Sequence, residues 1–101
     1  MTTGNPYNHS DPAQPYNICV IEDDEVIRKG YVSLLQEDET FFVSGAYASV
    51  EAALKLLHEN QPDIILLDIQ LPGIKGVDAI PAIKKLLPAT RIIMLTVHES
   101  S

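Results

Sequence analysis

Apolar residues in this chain gather in four short continuous runs, and between them lie three segments with apolar positions at helical spacing. The runs are NICVIE (17–22), FFVSGAY (41–47), DIILL (63–67) and TRIIMLTV (90–97). The first is rich in β-branched residues, and each is short enough to be a strand. Between the first two, residues 24–36 set Ile27, Tyr31, Leu34 and Leu35 on one stripe, which predicts an amphipathic helix. Ser49 has the chemistry of an N-cap, with Glu51 in the first turn to complement the helix dipole, and Val50, Ala53, Leu54 and Leu57 form the stripe of a second helix. A third helix is expected from about Asp78 to Leu87; with Asp78 as N-cap, Pro81 falls in the first turn, where its missing N–H costs little. Ahead of all this, residues 1–16 hold three of the seven prolines without periodicity and read as a flexible leader.

The order βαβαβαβ, with strands that are near-continuous apolar runs, predicts a parallel sheet covered on both faces. Right-handed crossovers leave few arrangements. The expected class is α/β, a doubly wound, flavodoxin-like sheet in the order 2-1-3-4. Such a sheet places its functional site at the carboxyl ends of the strands, beside the point where strand order reverses.

Composition narrows the function classes. The 101 residues suffice for one domain, and no apolar run approaches the roughly 20 residues that cross a bilayer. The N-terminus lacks the basic start and apolar segment of a secretory signal. Cys19 is the only cysteine, so it has no internal disulfide partner, and it lies inside an apolar run as a small buried hydrophobe would. Together these features favour the cytoplasm. The formal charge of −7, with only seven dispersed Lys and Arg, argues against direct contact between this segment and a nucleic-acid backbone.

The acids supply the chemistry. Glu22, Asp23, Asp24 and Glu25 follow the first strand, and Asp68 ends the third, just before a Pro-Gly turn. Acids after strands are common turn formers and N-caps, which suits Asp24 and Glu25 at the head of a helix. If the first and third strands are neighbours, however, Asp23 and Asp68 converge. Two unit charges ~4 Å apart near a surface repel by about 4 kcal/mol, so the cluster calls for a counter-charge. Mg²⁺ suits an open site with one or two carboxylates, retained waters and phosphate oxygens. An aspartate beside it is placed to attack a phosphoryl group and form an acyl phosphate.

From Asn17 onward the chain resembles the receiver domain of two-component response regulators. VIEDDEVIRKG matches that family's first acidic motif, DIILLDIQLPGIKG its phosphoacceptor motif, and MLTV its fourth strand with a switch threonine. GYVSLLQ, LPGIKGVDAI and MLTVHES are closest to the NarL/FixJ-like group. Aligned on Arg28, the acidic pair is Glu22 and Asp23. The resemblance implies that Asp68 is phosphorylated by a partner histidine kinase or phosphotransfer protein. It further implies that Asp23 binds Mg²⁺ directly and Glu22 mainly through water, while the backbone carbonyl of Gln70 completes the metal site. Thr96 would be the hydroxyl that turns toward the phosphoryl group, Val97 would line its access, and a homodimer is compatible with the group. The expected output is transcription regulation by a domain absent from these residues, and the receiver itself is not a dedicated enzyme.

A complete receiver carries a fifth strand, two more helices and a lysine after strand five. Lys29, Lys55, Lys75, Lys84 and Lys85 do not fit that place, so the resemblance implies a receiver domain over 17–101 that is incomplete at its C-terminus. A phosphate-independent, receiver-like interaction module is the alternative if the lysine is absent by nature. A haloacid-dehalogenase-like phosphatase also uses an aspartate after an apolar strand, but it wants an acid two residues on. Gln70 occupies that position and cannot transfer a proton.

Overall fold

The computed structural model describes residues 14–68 and 76–95. Four strands, β1 (Tyr16–Ile21), β2 (Phe41–Tyr47), β3 (Ile64–Asp68) and β4 (Arg91–Leu95), alternate with three helices, α1 (Glu25–Gln36), α2 (Val50–Asn60) and α3 (Gly76–Leu86). The strands form one sheet in the order β2-β1-β3-β4, and every pair is parallel. Expected class and strand order are both met. β1 starts one residue ahead of the expected boundary, and the leader falls almost wholly outside the described residues.

Register follows from the apolar runs. Val20 lies opposite Leu66, which lies opposite Ile93, and Cys19 opposite Ile65 and then Ile92. Alternation of side chains along each strand sends these two rows to opposite faces. The cysteine row meets α2 and α3. Cys19, Ile21, Ile65 and Leu67 pack there against Val50, Ala53, Leu57, Ala79, Ile83 and Leu87, all of them buried. Complete burial of one such aliphatic side chain is worth about 1.5–3 kcal/mol, so this layer is the main source of cohesion.

Covering on the α1 side is thinner. Ile18 and Val20 are buried in the sheet, yet α1 contains no buried residue and Leu34, expected on the core stripe, is 66% exposed. Ile27, Tyr31 and Leu35 are half-buried, while Val26 and Ile93 are exposed. An amphipathic stripe states that a helix can bury one face; how much it buries depends on how many neighbours meet it, and among the described residues α1 leans chiefly on β1 and β2.

The helix ends behave as their chemistry requires. The Asp24 carboxylate accepts from the Ile27 N–H at 3.0 Å and the Ser49 hydroxyl from the Ala52 N–H at 3.1 Å, so both are N-caps. At α3 the expectation needs correction. The helix begins at Gly76, Asp78 lies within its first turn, and Pro81 therefore sits in the second turn, where it removes an intrahelical donor. At the C-terminus of α2, Gln61 takes the left-handed conformation with φ 38° and donates its N–H to the Leu57 carbonyl.

The amino ends of the strands are tied together by polar contacts. The Asn17 N–H donates to the Asp63 carboxylate at 2.8 Å, and the Asp63 N–H returns a bond to the Asn17 carbonyl. The Thr90 hydroxyl donates to the Pro62 carbonyl, and the Lys84 ammonium to the Thr90 carbonyl, both at 2.7 Å. Lys84, in the last turn of α3, thereby holds the turn that feeds β4.

Candidate functional site

The site is built at the carboxyl ends of the two central strands. Ile21 of β1 and Leu67 of β3 are paired, so the residues that follow them, Glu22 and Asp68, emerge side by side. Glu22 extends the β1–β2 ladder by one bond, donating its N–H to the Tyr47 carbonyl at 2.9 Å. Its side chain is thereby committed to the sheet, and it is 2% exposed; Asp68 is 4% exposed, and Asp23 stands at the surface beside them. One carboxylate oxygen from each of Glu22, Asp23 and Asp68 lies within 4.8 Å of the other two. The convergence expected from strand order is present.

Electrostatics single out Glu22. Its Oε2 accepts from the Asp24 N–H at 3.0 Å, while Oε1 is buried with no donor among the described residues. Burial pushes the carboxyl up to about 7; the Asp24 N–H opposes that rise, and the neighbouring Asp23 and Asp68 carboxyls add to it. A buried oxygen atom without a donor, facing two further carboxylates, has the chemistry of a hard-cation site. The donor set is all oxygen, partly open to solvent through Asp23, and fits Mg²⁺ in that respect. Cys19 takes no part: burial raises its thiol to about 12, which leaves it an inert core residue.

Gln70 and Thr96, the other two residues expected at the site, lie outside the described residues, as do Pro72, Gly73 and Val97. One participant was not anticipated in the sequence. Arg28, used there only to set the alignment, sends Nη1 to the Glu22 carbonyl at 2.8 Å and to the Asp23 carbonyl at 3.4 Å. The spacing that brings it there is one turn of α1 beyond the cap, a signal visible only once the helix start is known.

Comparison with known proteins agrees with this fold. The model of the response regulator receiver domain matches residues 18–101. The chain belongs to this family. Among its relatives, the response regulator protein VraR of Staphylococcus epidermidis is 38% identical over 79 residues, 78% of this chain and 38% of that protein. The response regulator UvrY of Escherichia coli is 34% identical over 85 residues, 84% of this chain and 39% of that protein. The chain thus spans about two-fifths of the length of these curated relatives. In structure, the signal receiver domain of NarL from Mycobacterium tuberculosis superposes with a TM-score of 0.76 at 28% identity, covering 85% of this chain and 69% of that one. A LuxR-family two-component response regulator from Aurantimonas sp. gives 0.78 at 30% identity, covering 86% and 62%. The chain is accordingly a response regulator receiver domain of two-component systems, similar to receivers of the NarL type. Among the described residues no helix is long and apolar enough to cross a membrane.

Proposed function

We propose that this receiver accepts a phosphoryl group on the Asp68 carboxylate, from a phosphohistidine of a histidine kinase or phosphotransfer protein. The observation that supports this reading is the placement of Asp68 at the end of β3, buried and within 4.8 Å of the Glu22 and Asp23 carboxylates. In the transfer an Asp68 oxygen attacks phosphorus, the phosphorus–nitrogen bond of the donor breaks, and the imidazole leaves with its electron pair. Burial of Asp68 within the sheet end holds the nucleophile in one position and limits access of water to the acyl phosphate. Glu22, Asp23, Asp68 and the Gln70 carbonyl would hold Mg²⁺, which when bound neutralises charge between the carboxylates and the phosphoryl oxygens. Thr96 follows β4 directly, and its hydroxyl is assigned the report of phosphorylation, by turning toward the new phosphoryl oxygens.

The output assigned to this switch is transcription regulation through a region outside these 101 residues. LnrK of Bacillus subtilis, whose name is transcriptional regulatory protein, is 33% identical over 84 residues, and this chain spans 38% of its length. The test is intact mass after incubation with acetyl phosphate and Mg²⁺, for the wild type and for Asp68→Asn. One phosphoryl adduct on the wild type and none on the variant is expected; an adduct that survives in Asp68→Asn overturns the assignment.

A further inference from the structure

We infer that Arg28 is a positioning residue for the metal site: one guanidinium nitrogen holds both peptide planes that flank Asp23, and so sets the direction in which its Cα–Cβ bond leaves the backbone. The inference rests on the metal reading of the acidic cluster. The first plane, Glu22–Asp23, is held at its oxygen by Arg28 Nη1 at 2.8 Å. The second, Asp23–Asp24, is held at both ends: its oxygen faces the same Nη1 at 3.4 Å, and its N–H donates to Glu22 Oε2 at 3.0 Å. Rotation about the two soft bonds of Asp23 is rotation between these planes. With both anchored, the side chain of Asp23, the exposed member of the carboxylate triad, leaves the backbone from a fixed point beside the two buried ones.

Arg28 is itself anchored. It lies in the first turn of α1, whose start is set by the Asp24 cap, and the Arg28 N–H closes the first helical bond on the Asp24 carbonyl at 2.8 Å. The loop and the helix therefore form one unit: Asp24 caps the helix, the helix carries Arg28, and Arg28 returns to the loop. Its guanidinium engages the backbone carbonyls of Glu22 and Asp23. Groups that orient metal ligands in this way typically change metal affinity by about 10- to 100-fold when removed.

The sign of the effect separates positioning from simple charge. Removing a cation near a cation site strengthens Mg²⁺ binding by Coulomb's law, whereas loss of positioning weakens it. Arg28→Met keeps the apolar stem and deletes the donors; Mg²⁺ titration by calorimetry, with amide chemical shifts of Asp23 and Asp24 followed in parallel, is expected to show binding weakened by about 10-fold. Arg28→Lys is expected to fall between the two, several-fold weaker than wild type. Unchanged or tighter Mg²⁺ binding in a folded Arg28→Met overturns the inference. Should that variant fail to fold, Arg28→Lys decides it, and wild-type affinity there is the overturning result. Wild-type protein and Asp23→Asn are titrated alongside: if the wild type takes no Mg²⁺, or Asp23→Asn binds as well as wild type, the metal reading itself falls, whatever Arg28 does.

Discussion

Replacing Glu22 by Gln is expected to stabilise the metal-free protein. Glu22 is buried, shares its surroundings with two other carboxyls, and has its carboxyl raised from 4.5 to about 7. Folding therefore takes up a proton between those two values. The contribution is harmless below pH 4.5, where the group is protonated in both states; the penalty grows as pH rises and is complete above about 7. At about 1.4 kcal/mol per tenfold change, the upper bound at about pH 8 is roughly 3–4 kcal/mol. Gln keeps an oxygen for the Asp24 N–H and turns an NH₂ toward the Asp23 and Asp68 carboxylates, so it removes the charge without orphaning a partner. Urea unfolding followed by circular dichroism in EDTA is expected to give a gain of about 1–3 kcal/mol at about pH 8, shrinking to about 1 kcal/mol or less at about pH 5.5. With saturating Mg²⁺ the advantage is expected to fall, because the wild type alone keeps the full ligand charge. A Gln variant no more stable than wild type at about pH 8 in EDTA would refute this reasoning.

Three further substitutions test the frame around the site. Asp24→Ala removes the cap that accepts from Ile27, and a loss of about 1 kcal/mol in urea unfolding is expected; a neutral result would show that α1 does not depend on it. Leu57→Ala opens the layer between α2, α3 and the sheet, and a cost of about 2–5 kcal/mol is expected, whereas less than about 1 kcal/mol would contradict the packing described. Gly45→Ala builds a Cβ 2.7–2.9 Å from the Tyr47 ring, which packs against the same layer, so a loss of about 1–3 kcal/mol is expected, and a stabilised variant would contradict that contact.

The strands and the acids were legible because their signals are local. An apolar run such as IILLD admits few environments, and an acid directly after it lies at a strand end wherever the strand pairs. Strand neighbourhood did the rest, bringing Glu22 and Asp68 together across β1 and β3. Leu34 was misjudged because the stripe it belongs to records amphipathicity, not the number of neighbours that will cover it. The start of α3 was misplaced because Asp78 has the chemistry of a cap, and nothing local reveals that the helix had begun two residues earlier. Burial of Glu22 was hidden for another reason: one more ladder bond to Tyr47 draws an otherwise ordinary acid into the sheet. The Arg28 contacts join a side chain to backbone carbonyls, and carbonyls carry no residue-type signal.

The central claim is that Asp68 is the phosphoryl acceptor. Its most direct test is to treat the protein with a small phosphodonor and Mg²⁺, reduce the product with borohydride, and sequence the peptides by mass spectrometry. Borohydride converts an aspartyl phosphate to homoserine and leaves unmodified aspartate alone. Homoserine at position 68, dependent on both donor and Mg²⁺, is the expected result. Homoserine at another acid such as Asp23, or at none while phosphoryl is incorporated elsewhere, would contradict the account.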